Sequence, residues 1–289
     1  MKKKAVIIVF IGVFGVSLSA IFGKLTTANG LITAMYRMFF TSLMLLPVFL
    51  AKHLKEVREA GRRTVLLCIV SGLFLGVHFW TYLESLKQTS IASSLVLVNT
   101  EVLFVAVLSF IFFREKLNKY AYAAIAIAIA GSIVTATAKP GGAQGSIILG
   151  DLLALTGAFV SSFYTIIGKR ERSTLSTTAY TYIVYTSAAA LLFVAALATG
   201  QKLGGYPAMD YIACFVMAVF CTLLGHSLFS YALKYVSAAF VSIAKLGEPV
   251  LSSVLAVFVF SETPVAKEYI GAVLVLSGIL LYLRKGMEQ

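Results

Sequence analysis

Residues 91–113 read IASSLVLVNTEVLFVAVLSFIFF, an apolar run of 23 residues in which Glu101 is the only charged side chain. A bilayer core of about 30 Å requires about 17–25 apolar residues per helix, because lipid offers no hydrogen-bond partner to an unpaired backbone group. The stretch therefore predicts a membrane-spanning helix with one carboxyl group near its middle. Residues 238–260, AAFVSIAKLGEPVLSSVLAVFVF, have the same length and place Glu248 at the same depth.

The rest of the chain has the same character. Of its 289 residues, 60% are hydrophobic and 12% are charged, whereas a soluble domain carries about 25% charged residues. A soluble globular fold is excluded, and the sequence predicts an all-α integral membrane protein with ten transmembrane helices. The predicted spans are Ala5–Gly23, Leu31–Leu50, Thr64–Leu83, Ile91–Phe113, Tyr120–Ala138, Ile147–Gly168, Thr177–Leu197, Tyr211–Leu233, Ala238–Phe260 and Val265–Leu283.

The basic residues are distributed unequally over the two sides of these spans. Of the 24 Lys and Arg residues, 17 fall on the side of the termini, 5 on the other side, and Arg37 and Lys245 lie inside spans. Because Lys and Arg are retained in the cytoplasm, both termini are predicted to be cytoplasmic. The protein itself is predicted to lie in the cytoplasmic membrane. This retention of basic residues on the cytoplasmic side, where they also attract anionic lipid, accounts for the net charge of +12. No nucleic-acid partner is therefore expected.

The two glutamates belong to an internal repeat. At an offset of 147 residues, Glu101 pairs with Glu248, Glu115 with Glu262, Tyr122 with Tyr269 and Gly131 with Gly278. This predicts one repeat at residues 1–138 and a second at 147–285, each with five spans. An odd number of spans inserts the second repeat upside down, and inverted repeats place a substrate site near the midplane and favour alternating access.

The chain resembles the drug/metabolite transporter superfamily with EamA-type repeats. The resemblance covers nearly the whole chain. It rests on Ala92-Ser93-Ser94-Leu95 through Phe113-Arg114-Glu115-Lys116-Leu117 and on the block from Ala232 through Leu246-Gly247-Glu248-Pro249-Val250 to Phe260-Ser261-Glu262. It implies a ten-helix secondary carrier of small metabolites with a central cavity. One departure is Val102, where the family pattern has a proline after the first glutamate, so the fourth span is expected to bend less than the ninth.

Charged residues at membrane depth are the first candidates for substrate binding, because each requires a partner or a wet cavity. Lys245 lies three residues before Glu248, within ion-pair reach on one helix face; the pair is either a self-neutralising structural feature or part of the site. In the first repeat the position equivalent to Lys245, three residues before Glu101, holds Val98, so Glu101 has no lysine beside it on its own helix. Unless Arg37 reaches it, Glu101 is expected to carry a proton, or else to stay permanently protonated beside Asn99 or Thr100. Glu101 and Glu248 are the proton-coupling candidates.

Aromatic and imidazole side chains complete the predicted site. The substrate-binding candidates are Tyr36, Arg37, His78, Trp80, Glu101, Tyr164, Lys245 and Glu248. Trp80 is more typical of an interfacial aromatic belt, and His78 is more typical of a hydrogen-bonded packing residue than of a proton relay. The four charges at depth sum to zero, which favours a zwitterionic substrate such as an amino acid.

Three classes of function remain open. The leading class is a secondary active transporter of a small amphipathic metabolite, driven by proton coupling or exchange; the alternative is an uptake carrier for organic amines or nucleoside-like compounds. A channel is the third. The sequence has no Walker-type loop, no HExxH or GxSxG motif and no metal-ligand spacing around its three cysteines, so neither an enzyme nor a cofactor nor a metal is expected. The oligomeric state is predicted to be monomer or homodimer.

Overall fold

A computed structural model describes residues 2–89, 91–137, 146–260 and 265–286, and the regular secondary structure of this part of the chain is all helical, without a strand. Residue 138, the predicted end of the first repeat, lies outside these ranges. The helices are α1 (Lys2–Ser17), α2 (Ser19–Leu25), α3 (Gly30–Lys52), α4 (Leu54–Glu59), α5 (Arg62–Gln88), α6 (Ile91–Asn99), α7 (Glu101–Phe113), α8 (Lys119–Ala136), α9 (Ile147–Glu171), α10 (Thr177–Ala198), α11 (Ala208–Val216), α12 (Ser227–Ala232), α13 (Ala238–Lys245), α14 (Glu248–Phe260) and α15 (Ala266–Leu281). A π-helical segment, Met217–His226, joins α11 to α12, and a second one, Tyr282–Gly286, follows α15.

Eight helices within these ranges are long and apolar enough to cross a bilayer. They are Lys3–Leu25, Gly30–Lys52, Arg62–Gln88, Ser93–Phe113, Ile147–Glu171, Thr177–Ala198, Ala208–Ala232 and Tyr269–Gly286. Apolar side chains such as Ile7, Ile148 and Val273 cover the outside of the bundle, as expected where lipid replaces water. The chain is therefore a multi-pass membrane protein, and these helices coincide with eight of the predicted spans.

Equivalent residues of the two repeats make equivalent contacts. Helices α8 and α15 pack together through Gly131 and Gly278, where an added Cβ would lie 2.6 Å from the Val275 nitrogen and 2.7 Å from the Ala124 oxygen. Only glycine lets the two backbones approach this closely. The repeat found in the sequence is thus also a repeat in packing.

The same equivalence holds at helix ends. Lys24 donates to the carbonyl oxygen of Leu86, and Lys169 donates to that of Leu233. The two acceptors, Leu86 and Leu233, lie 147 positions apart. Cations favour the C-terminal ends of helices because unpaired carbonyl groups collect there. Each repeat therefore joins the end of its first span to the end of its third.

Both glutamate-bearing spans are interrupted directly before the glutamate. One helix ends at Asn99 and the next begins at Glu101; in the second repeat, α13 ends at Lys245 and α14 begins at Glu248. The fourth span is thus interrupted even without a proline, at the single residue Thr100, whereas the ninth is interrupted at Leu246 and Gly247; that the fourth bends less stays a prediction. In the fourth span, the Asn99 side chain donates to the Leu95 carbonyl at 2.8 Å and the Thr100 hydroxyl to the Leu97 carbonyl at 2.6 Å, so side chains compete with the helical backbone for its acceptors.

Candidate functional site

A small polar cavity lies in the interior, where these interrupted helices meet the other spans. Its volume is about 30 Å³, which is enough for one or two water molecules but not for a metabolite. The lining residues are Val16, Ser19, Arg37, His78, Phe79, Tyr82, Val98, Asn99, Glu101, His226, Phe229, Lys245 and Glu248.

The central ion pair joins the two repeats. Lys245 Nζ lies 2.7 Å from Glu101 Oε2, and the other carboxylate oxygen accepts a hydrogen bond from the Thr165 hydroxyl at 2.8 Å. Glu101 is 4% exposed and Lys245 is 7% exposed. The acid comes from α7, its lysine from α13 and its threonine from α9, so the pair links three helices.

This geometry corrects the predicted pairing. Lys245 was expected to pair with Glu248 and Glu101 to remain without a lysine, because residues three apart share one face of a continuous helix. The helix is not continuous: it ends at Lys245 and restarts at Glu248 after the Leu246-Gly247 turn. Lys245 is thereby free to bind the equivalent acid of the other repeat.

The interrupted helices also stabilise these buried charges. Glu101 and Glu248 each occupy the first position of a helix, and Lys245 lies in the last turn of another. Carboxylates are favoured at the positive N-terminal end of a helix and cations at the negative C-terminal end. Pro249 follows Glu248 in the first turn, where its missing N–H has no helical partner to lose.

Arg37 is held by neutral groups. Its Nε donates to the Thr222 hydroxyl at 2.8 Å, its Nη1 donates to the Ser19 hydroxyl at 3.0 Å, and its guanidinium lies 4.0 Å from the centre of the Phe79 ring. Thr222 belongs to the π-helical segment, a rare geometry that is frequent at functional sites. The side chain is 1% exposed, so its orientation is fixed by these contacts.

Two charges in the cavity lack an ion-pair partner among the described residues: Arg37 and Glu248. The Nη2 atom of Arg37 is also buried without a hydrogen-bond partner there, as are the Tyr82 hydroxyl and His226 Nδ1. Buried polar atoms are normally satisfied, because each unsatisfied one costs about 1–3 kcal/mol. Three such atoms around one cavity indicate a place where a polar ligand or water binds.

The other predicted site residues are divided by the structure. His78 lines the cavity, and its Nδ1 lies 3.0 Å from the Gly157 carbonyl oxygen. Tyr164 lies at the edge of the site: its hydroxyl is 3.1 Å from Ser230 Oγ, and its ring centre is 6.0 Å from that of His226. Trp80 packs against the apolar core instead.

Tyr36 lies in a second, apolar cleft of about 540 Å³ between α3 and α10, where its hydroxyl donates to the Leu203 carbonyl. Sequence reasoning did not place Ser19, Asn99 or Thr222 in the site. The polar pair Asn99-Thr100 directly before Glu101 is a signal for the first break and for Asn99. Nothing in the sequence signals Thr222, because its position depends on the π-helical segment.

The fold and the site together define a multi-pass helical membrane protein with a polar cavity in its interior. The sequence profile of the EamA-like transporter family matches the chain twice, over residues 3–137 and 148–284. The chain belongs to this family, within the drug/metabolite transporter superfamily, which confirms the resemblance found in the sequence.

Two relatives agree with this assignment, and a solved structure has the same fold. An uncharacterized transporter of Clostridium kluyveri is 22% identical, over 97% of this chain and 93% of its own length. The uncharacterized transporter YxxF of Bacillus subtilis is 25% identical, over 81% and 75%. A protein of known crystal structure superimposes with a TM-score of 0.82 at 17% identity, covering 99% of this chain and 98% of the other, which supports the fold.

Proposed function

We propose that this protein is a secondary active transporter that moves a small zwitterionic metabolite, an amino acid or a related compound, across the cytoplasmic membrane. One observation carries the proposal: once Lys245 and Glu101 neutralise each other, Arg37 and Glu248 are the two remaining cavity charges without an ion-pair partner in the described part of the chain. A substrate carboxylate would bind Arg37 Nη2 and the Tyr82 hydroxyl, and its ammonium group would bind Glu248.

In this proposal the protein has ten spans, with α8 and the α13–α14 pair as the two additional crossings, and two inverted repeats at residues 1–138 and 147–285. Both termini are cytoplasmic. The repeats alternate in exposing the cavity to each side, without chemical conversion of the substrate. The small cavity volume supports such a cycle, because a site that closes around water must widen on one side to admit a metabolite.

Proton coupling is proposed at Glu248. Glu101 is held in an ion pair by Lys245, whereas Glu248 forms no ion pair with another described residue. An unpaired carboxylate at membrane depth is costly and binds either a proton or a cation. A proton and the substrate ammonium group would then compete for Glu248, which couples the two movements.

The decisive test uses purified protein in proteoliposomes with radiolabelled amino acids and their decarboxylated amines. We expect Arg37→Gln to abolish amino-acid counterflow and to affect the amines much less, because only the carboxylate contact is lost. Glu248→Gln should weaken both and leave the residual transport insensitive to an imposed pH gradient. Lys234→Gln, at an exposed loop position, is the matched control. Gradient-driven accumulation that persists in Glu248→Gln would refute the coupling.

The second candidate function is uptake of organic amines or nucleoside-like compounds. It is favoured by the aromatic wall of Phe79 and Phe229 beside Glu248, since aromatic faces attract cations. The same assay separates the candidates: saturable transport of the amines with no competition by amino acids would select the second. A current without saturation would instead indicate a channel.

A further inference from the structure

We propose that Asp210 and Glu56 are a pair of gate latches: each carboxylate binds the turn between the first two spans of the opposite repeat, and release of one latch opens the cavity to that side. This inference rests on the proposed alternating access. It adds two positioning residues that lie outside the cavity.

Asp210 forms the first latch, in the first turn of α11. Its carboxylate accepts hydrogen bonds from the Thr27 backbone N–H at 3.0 Å, the Thr27 hydroxyl at 2.9 Å and the Ala28 backbone N–H at 2.8 Å. Asp210 is 3% exposed. Hydrogen bonds to an ionised acceptor are short and strong, and here they hold α11 of the second repeat to the turn before α3 of the first.

Glu56 forms the second latch, in α4. One carboxylate oxygen accepts from the Ser176 backbone N–H, and the other accepts from the Ser176 hydroxyl at 2.6 Å and lies 2.8 Å from His53 Nδ1. Ser176 is in the turn before α10. This contact therefore holds the loop after α3 in the first repeat to the start of α10 in the second.

The two latches bind equivalent turns. Asn29 and Ser176 lie 147 residues apart, and each caps the helix that follows it. The side chain of Asn29 accepts from the Ile32 N–H at 3.0 Å, and that of Ser176 accepts from the Ala179 N–H at 3.2 Å. Asp210 binds Thr27 and Ala28, the two residues immediately before the cap residue Asn29. Glu56 binds the cap residue Ser176 itself.

The latches lie at opposite ends of the bundle. Helix α3 begins at Gly30, beside the turn held by Asp210, and ends at Lys52, beside the loop that carries Glu56. At 1.5 Å per residue this helix is about 35 Å long, enough to cross a membrane core of about 30 Å. Both latches are closed here, and the cavity between them has a volume of about 30 Å³. Opening either end requires the two repeats to separate there, which breaks the latch of that end.

The test measures access to the cavity from each side and needs no substrate. Val98 lines the cavity, so in proteoliposomes the labelling rate of Val98→Cys by a membrane-impermeant methanethiosulfonate reagent measures access of the reagent to the cavity. The native cysteines Cys68, Cys214 and Cys221 are buried. The same variants without Val98→Cys give the background labelling. We expect Asp210→Asn to accelerate labelling about tenfold from its own side, the shift expected when a charge-assisted contact of a two-state element is weakened. Glu56→Gln should do the same from the other side.

Lys202→Gln and Glu59→Gln, exposed substitutions near the two latches, should leave both rates unchanged. Unchanged rates in Asp210→Asn and Glu56→Gln, or acceleration from the wrong side, would overturn the proposal. If either variant does not fold, spin labels decide in the otherwise unaltered protein: the pairs Leu25→Cys with Lys202→Cys and Glu59→Cys with Ser173→Cys should each show a second, longer distance. A single short distance in both pairs would overturn the latches.

The outcomes also separate this inference from the transport proposal. Side-specific labelling without transport of any amino acid or amine would support the latches and refute the proposed substrate class. Transport with labelling that ignores both latch variants would refute the latches alone.

Discussion

Removing the Lys245 ammonium group is expected to destabilise the protein strongly. Lys245→Met keeps most of the side-chain volume but leaves Glu101 buried, with the Thr165 hydroxyl as its remaining hydrogen-bond partner among the described residues. Breaking a buried ion pair by deleting one partner costs about 3–5 kcal/mol, because the other charge stays in a poorly solvating environment. Both groups are less than 10% exposed, so we expect a loss in this range.

The assay is reversible unfolding in mixed detergent micelles, followed by circular dichroism and by the fluorescence of Trp80, the single tryptophan. The double variant Lys245→Met with Glu101→Gln should recover most of the loss, because Gln retains a hydrogen bond to Thr165 without a charge. Lys234→Met controls for the loss of an exposed lysine. Rescue of Lys245→Met by Glu248→Gln instead of Glu101→Gln would refute the pairing across repeats and restore the local pair expected from spacing.

Three further outcomes follow from the geometry. Gly278→Leu should destabilise by about 1–3 kcal/mol in the same unfolding assay, since its Cβ would lie 2.7 Å from the Ala124 backbone oxygen and the helices must move apart; wild-type stability would contradict this close contact. Arg37→Lys should bind amino acids more weakly in a thermal-shift titration even though the charge remains, because Lys has no planar fork of donors; unchanged affinity would contradict the role of the fork. Burial raises the pKa of Glu56, but the hydrogen bonds from Ser176 and the contact with His53 together lower it below its ordinary value. The stability difference between wild type and Glu56→Gln should therefore be full above the ordinary carboxylate pKa and vanish as the pH falls through the lowered one; a difference independent of pH would contradict it.

Much of the site could be predicted from residue types at depth. A charge inside an apolar run is costly and therefore indicates a functional site. This made it possible to recognise Arg37, Glu101, Lys245 and Glu248. Their partners were not predictable in the same way. The spacing of Lys245 and Glu248 indicates a local pair only if the helix continues between them, and Gly247 and Pro249 were the available signs that it does not.

The amino-acid sequence was sufficient to predict a membrane protein, eight spans that the structure also has, and two related halves with one glutamate at the equivalent position of each. These are local properties, since a span depends on its own apolar length and on hydrogen bonds within one helix. The packing of the helices was needed to show that Lys245 neutralises Glu101, that the π-helical segment brings Thr222 to Arg37, and that Asp210 and Glu56 bind turns more than 100 residues away. Such contacts depend on which helices become neighbours, and in lipid that choice rests on close packing of small residues and on satisfying each buried polar group, which no single segment specifies.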